Sequence, residues 1–149
     1  MISVVIRRYL SKDYWDVLQI DKEAFSPSNA AYDVYLYLKY GSVIFVAEIN
    51  RKVVGYVTVM ETEEGNAKIM SIAVKKEYRG LGIGSKLLDE AIRWCKTRGK
   101  RKVLLEVRTS NFVAQELYKK KGFKIIGVTP NYYSDGEDAY IMALNFEGQ

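Results

Sequence analysis

The sequence predicts an α/β fold, a sandwich built on a mixed sheet, and three observations predict it. Runs rich in β-branched residues alternate with stretches whose apolar residues recur at helical spacing. Three strands joined by short turns follow one another in the middle of the chain. A strand then passes through a glycine-punctuated turn straight into a helix over Ile69–Lys86, and the other elements are placed relative to that stretch. At 149 residues the chain is the size of one ordinary domain (residues 1–149), long enough to bury about two thirds of its unfolded surface.

Ser3–Tyr9 reads as the opening strand, and Ser11 as the cap of a helix over Lys12–Phe25. Val17, Ile20 and Ala24 share one face of that helix, and Pro27 stops it. Tyr32–Tyr40 is expected as a short second helix closed by Gly41. Val43–Glu48, Val53–Glu61 and Ala67–Val74 form three antiparallel strands, with turns at Asn50-Arg51 and at Glu64-Gly65-Asn66. After the glycine turn, Leu87, Leu88, Ala91, Ile92 and Cys95 mark one side of a helix that ends at Gly99. Val103–Arg108 is a strand. Asn111 begins another helix, whose Val113, Ala114, Leu117 and Tyr118 share a face before Gly122. Phe123–Val128 and Ala139–Leu144 are the last strands, separated by the polar and aromatic loop Thr129–Asp138.

Composition narrows the function. Hydrophobic residues make 48% and charged residues 28%, a globular balance. The net charge of +5 suits an anionic ligand. The basic residues are scattered, with no zinc-finger or RNA-recognition spacing, which points away from nucleic acid. Cys95 is the only cysteine, so no internal disulfide forms and a reducing compartment fits; on its apolar stripe it reads as core filling. Histidine is absent, which removes Ser-His, Cys-His and His-metal chemistry and leaves carboxylate, tyrosine, lysine or water to move protons. The first residues lack the order of a signal peptide and no apolar run approaches membrane length, so a soluble, cytoplasmic protein with no membrane partner is expected.

Gly80, Gly82 and Gly84 lack the Cβ that would keep an anion from the backbone, so successive N–H groups can converge on a phosphate. The helix behind them adds a dipole of roughly half a positive charge. Arg79 supplies a forked donor at the mouth of the turn. A Walker loop would end in Gly-Lys-Ser or Gly-Lys-Thr, whereas here Gly84-Ser-Lys reverses the order. A Rossmann turn would open the first strand-helix unit of a repeated series, and this one follows three hairpin-linked strands.

The pattern Arg79-x-x-Gly82-x-Gly84 after Ile72-Ala-Val74 resembles the acetyl-CoA motif of the GNAT superfamily of N-acetyltransferases. Leu105–Asn111, Leu117-Tyr118 and Lys121-Gly-Phe123 resemble the second half of the RimI-type ribosomal-protein alanine acetyltransferases. Asn131–Tyr140 is similar to a closing segment shared by RimI and the catalytic subunits of NatA-type N-terminal acetyltransferases. The resemblance spans roughly Ile69–Leu144, and it implies a mostly antiparallel mixed sheet with helices on both faces. It also implies acetyl-CoA as co-substrate, no metal, and a protein or peptide N-terminus, for instance of a ribosomal protein, as acceptor. Ile72, Ala73 and Val74 would pair with the pantetheine arm, and the amides of Gly80, Leu81, Gly82, Ile83, Gly84 and Ser85 would hold the pyrophosphate. Asn111 would contact the cofactor, Glu106 would be the general base and Tyr118, near the thioester sulfur, the general acid. Tyr132 and Tyr133 would line the acceptor groove, together with Phe25 and Tyr32 from the first half. A monomer or weak dimer is expected, with an auxiliary subunit allowed.

Each role has a plainer competitor. Glu106 can be the solvent-facing partner of Arg108, Tyr118 ordinary core, and Tyr132 and Tyr133 loop packing; Lys119-Lys-Lys121 can be a solvated helix end or a clamp for the CoA 3′-phosphate. NatA-type subunits carry an acidic residue after the first helix, where this chain has Phe25-Ser-Pro-Ser-Asn29, and commonly a histidine where it has Glu106. The site therefore leans toward the RimI type. Two other functions stay open: acetylation of a small amine such as a polyamine, for which Asp135, Glu137 and Asp138 offer acidic groups, and a CoA-binding partner-dependent module.

Overall fold

The computed structural model describes residues 3–146; Met1 and Ile2, part of the stretch read for a leader, lie outside them. Its strands are β1 (Val5–Arg8), β2 (Val43–Ile49), β3 (Lys52–Glu61), β4 (Ala67–Val74), β5 (Lys102–Arg108), β6 (Lys124–Thr129) and β7 (Ala139–Asn145). They form one seven-stranded sheet in the order β1-β2-β3-β4-β5-β7-β6. The helices are α1 (Tyr14–Phe25), α2 (Ala30–Tyr40), α3 (Ile83–Thr97) and α4 (Phe112–Lys120). β1-β2, β2-β3, β5-β7 and β6-β7 pair antiparallel. β4 and β5 run parallel, with Ala67 opposite Val103 and Lys68 opposite Leu104. The mixed, mostly antiparallel sheet is the one expected. By contacts the chain divides into two compact units, one holding the residues up to Glu61 with Ile69–Trp94, the other Thr62–Lys68 with the residues from Cys95 onward.

In the first unit, Asn50 and Arg51 both adopt left-handed φ, 49° and 65°, the pair of angles that a two-residue hairpin turn needs. Ser11 does not cap α1. It opens a 3₁₀ turn, Ser11–Asp13, and α1 starts three residues after it because Asp13 organises the entry. The Asp13 carboxylate accepts the Leu10 N–H at 2.8 Å and the Arg7 guanidinium at 2.8 and 3.0 Å. Burial pushes this acid up, yet the bonds from Arg7 and Leu10 outweigh it and hold Asp13 below its usual value. α2 begins two residues earlier than expected, since the Asn29 side chain accepts the Tyr32 N–H at 3.1 Å and forms the cap. Val17 and Ile20 of α1 and Val34 and Tyr37 of α2 pack with Val46, Val53, Tyr56 and Ala73 of the sheet. Gly55 is needed for close approach: a Cβ there would stand 3.1 Å from both the Ala73 carbonyl and Leu87 Cδ1.

In the second unit, β5 alternates cleanly. Val103, Leu105 and Val107 are buried, while Leu104, Glu106 and Arg108 take the other face. Cys95 is buried, as its core reading requires. α4 is phased differently from the expectation: Val113 is 85% exposed and Gln115 is buried. Gln115 lies three residues before Tyr118 on the same face, and its Nε2 donates to the Arg108 and Thr109 carbonyls at 3.0 and 3.1 Å. A polar side chain is tolerated there because two backbone acceptors satisfy it.

Candidate active site

The turn expected to hold phosphate lies in the first unit. Gly80 and Gly82 have φ of 80° and 82°, and no atom lies within 4 Å of a Cβ built on either, so their backbone faces open space. Gly84 already belongs to α3 and lacks that left-handed backbone. The first helical bond here runs from the Lys86 N–H to the Gly82 carbonyl at 3.1 Å, leaving the preceding amides of the helix end as free donors. These amides and glycines fit a phosphate group. Arg79 Nε donates to the Val74 carbonyl at 3.0 Å, so the fork is tied to the end of β4. Ile83 is 1% exposed, so its side chain belongs to the core. Leu81 is exposed, Ser85 half-buried, and Ile72, Ala73 and Val74 complete β4.

Phe25 ends α1 and Tyr32 stands in the first turn of α2; both are exposed, and Tyr32 stacks on Tyr35 at 6.4 Å. Between them the Ser28 hydroxyl donates to Asp33 Oδ2 at 3.2 Å. One group that the sequence did not reveal lies beneath this connection: Asp21, fully buried, whose Oδ1 accepts the Tyr37 hydroxyl at 2.8 Å and the Tyr56 hydroxyl at 2.5 Å. Helical periodicity puts position 21 beside Ile20 and Val17, and only its polarity could have flagged it.

The second unit gathers the other named residues. Glu106 Oε1 accepts the Tyr132 hydroxyl at 3.1 Å and forms an ion pair with Lys68 Nζ at 2.7 Å. Its partner is therefore Lys68, not Arg108, because β4 runs alongside β5. Tyr132 meets Tyr133 edge to face at 5.0 Å. Tyr118 is buried against Phe123, with ring centroids 6.0 Å apart. Burial, then the neighbouring Tyr133, pushes the Tyr118 hydroxyl up to about 12. Burial first, and then nearby charge, raises Tyr132 and Tyr133 to about 12 as well. All three hydroxyls hold their protons at neutral pH. Asn111 is the N-cap of α4, its Oδ1 accepting the Ala114 N–H at 3.2 Å.

Arg108 closes the loop that carries the two tyrosines. Its guanidinium bonds Asp135 at 2.9 Å and Glu137 at 2.8 Å and lies 4.1 Å from the Tyr133 ring centroid. The Ser110 hydroxyl, then Arg108, holds the Glu137 carboxyl down at about 2. Asp138 accepts the Asn131 N–H at 2.8 Å. The acids of this loop are thus engaged in its own structure. Lys119 and Lys120 are exposed, Lys119 lying 3.7 Å from Glu116. Among the described residues no three of His, Cys, Asp and Glu stand together as a metal site, and no helix is long and apolar enough to cross a membrane.

A parallel β4-β5 pair stands in a sheet whose β1-β2, β2-β3, β5-β7 and β6-β7 pairs are antiparallel, and the glycine turn lies between β4 and α3. The chain belongs to the acetyltransferase (GNAT) family, which it matches over residues 12–123. The N-alpha-acetyltransferase of Sulfurisphaera tokodaii is 40% identical to it, over 93% of this chain and 90% of the relative. The ribosomal-protein-S18-alanine N-acetyltransferase from Escherichia coli shares its structure with a TM-score of 0.84 at 29% identity, covering 99% of this chain and 96% of that one. Arabidopsis thaliana Naa50, solved with the bisubstrate analogue CoA-Ac-MVNAL, has a TM-score of 0.84 at 26% identity, covering 97% and 99%. The family resemblance read from the motifs is borne out.

Proposed function

We propose that this enzyme transfers the acetyl group of acetyl-CoA to the N-terminal α-amino group of a protein or peptide, with Glu106 as general base and Tyr118 as general acid. The observation that carries the reading is the cluster on β5 and the closing loop: a carboxylate hydrogen-bonded to Tyr132, backed by Tyr133 and by a Tyr118 that keeps its proton. The names of the Sulfurisphaera and Escherichia relatives support the acceptor class, and the analogue bound to Naa50 supports CoA as the carrier. Acetyl-CoA, when bound, supplies the activated thioester. Ile72–Val74, Arg79–Ser85 and Asn111 are the residues assigned to hold it, the glycine turn by its free amides. An α-amino group has a pKa of about 7.7 to 8.0, so part of it is neutral near pH 7.5 and Glu106 needs only to collect the proton as the bond forms. Tyr118 returns a proton to the leaving side. Phe25, Tyr32, Tyr132 and Tyr133 are assigned to the acceptor peptide, and a cytoplasmic setting suits the single buried cysteine.

The acids of the closing loop weigh against a polyamine acceptor, because Arg108 and the Asn131 amide already engage them. Incubation with acetyl-CoA and short peptides differing at residue one, with spermidine and free lysine as controls, tests the proposal by thiol release. Turnover with peptides alone is expected; turnover of spermidine with no peptide accepted sinks it.

A further inference from the structure

Asp21 is a carboxyl group in an apolar place, and half of it has no partner. Its Oδ1 is the shared acceptor for Tyr37 of α2 and Tyr56 of β3, and the Tyr56 hydroxyl also meets Ser71 Oγ of β4 at 2.9 Å. Its Oδ2 is buried without a hydrogen-bond partner. The group beside it is a second carboxyl, Asp33, one helical turn before Tyr37 on the same face of α2. An ionised oxygen buried without a donor is strongly disfavoured. A proton on Oδ2 turns it into a donor, and Asp33 is the acceptor at hand. Neighbouring carboxylates share one proton for the same reason.

The placement matters because four elements meet at this group. Phe25, the last residue of α1, and Tyr32, in the first turn of α2, flank the connection between these helices, and Ser71 directly precedes Ile72, Ala73 and Val74. We propose that Asp21 is a positioning residue for the acceptor: protonated, it bridges Asp33 and the two tyrosines and holds the α1–α2 connection onto β4, and loss of the Oδ2 proton to solvent releases that connection. The inference rests on the acetyl-transfer reading for the meaning of Phe25 and Tyr32; the bridge itself does not. The groups acting on Asp21 are Asp33 and Tyr37 from α2 and Tyr56 from β3, with Ser71 of β4 one hydrogen bond further, on the Tyr56 hydroxyl. Burial raises the Asp21 carboxyl, the two tyrosines pull it down, and Asp33 raises it again, to about 6. The release thus falls in the range where acetyl transfer to an amine begins to gain neutral acceptor.

Amide hydrogen exchange over residues 25–33, corrected for intrinsic rates, tests this at about pH 5.5 and pH 7.5. In the wild type, protection drops on the order of tenfold at the higher pH. Asp21→Asn keeps the Oδ1 acceptor and offers Asp33 a permanent donor, so its protection stays constant, whereas Asp21→Ala is unprotected at both. Asp33→Asn gives ionised Asp21 a donor and is flat as well; it decides the matter if Asp21→Asn does not fold. A wild type with constant protection, or an Asp33→Asn or Asp21→Asn that follows the wild-type pH dependence, overturns the proposal. In kinetics, the peptide KM of the wild type rises relative to Asp21→Asn between the two pH values, while the acetyl-CoA KM is unchanged. If no form acetylates any peptide, the transfer reading fails and the exchange result still decides the role of Asp21.

Discussion

Glu106 and Asp21 are both acids, and what surrounds each sets a different task. Glu106 has a cation and a tyrosine within hydrogen-bond distance, and the proposed base role asks it to collect a proton from an amine. Glu106→Gln is expected to slow transfer most near pH 6, where the α-amino group is largely protonated, and least near pH 9, with acetyl-CoA affinity nearly intact. Unchanged rates across that range would move the role to water or another group. Asp21 is raised in the fold, so the native state binds more protons than the unfolded chain between the ordinary carboxyl value and about 6. Its contribution to stability is therefore complete below the unfolded pKa and is lost as pH rises through the folded one. A tenfold change in proton affinity between the two states is worth about 1.4 kcal/mol. Denaturant unfolding at about pH 4.5 and pH 7.5 should show that Asp21→Asn gains on the order of 2 kcal/mol over the wild type at the higher pH. An equal difference at both would mean that the carboxyl does not titrate in this range.

At the scale of the element, the turn into α3 works by backbone. Gly80 and Gly82 were readable as glycines, and their left-handed angles follow from the need to reverse the chain before a helix. Gly84 was readable in the same pattern but is simply helical, which motif spacing does not separate. Gly82→Ala is expected to strain the turn by about 1 kcal/mol and to raise the acetyl-CoA Kd by about tenfold, measured by calorimetry. Leu81→Ala, at an exposed position, serves as the control, and equal affinities for the two variants would remove Gly82 from the phosphate turn. The closing loop is held differently, by one arginine on two acids and a tyrosine ring. The residue types of the loop were visible in sequence; their clamp was not, since Arg108 precedes Glu137 by a helix and a strand.

For the whole molecule, a ligand that binds only the folded state adds stability by mass action. Acetyl-CoA at a hundred times its Kd contributes about 2.7 kcal/mol, which for a chain of this length corresponds to a rise in Tm of about 5 to 10 °C. Thermal melts with acetyl-CoA, and with acetate as control, check this; no shift would argue against CoA as the carrier. The two compact units divide the proposed site residues, with the glycine turn and Asp21 in one and Glu106, Asn111, Tyr118 and the tyrosine loop in the other.

Periodicity and turn residues by themselves determined the order of strands and helices, the glycine turn and the family, because each is written in neighbouring positions. Tertiary structure alone decided the partners. Lys68 meets Glu106 because β4 and β5 are parallel neighbours. Asp13, not Ser11, starts α1 because Arg7 reaches across from β1. Asp21 is a buried acid held by hydroxyls from α2 and β3, the latter hydrogen-bonded in turn to Ser71 of β4. Local spacing carries helix and strand propensity over a few residues, whereas a carboxyl group's charge state depends on what distant segments place around it.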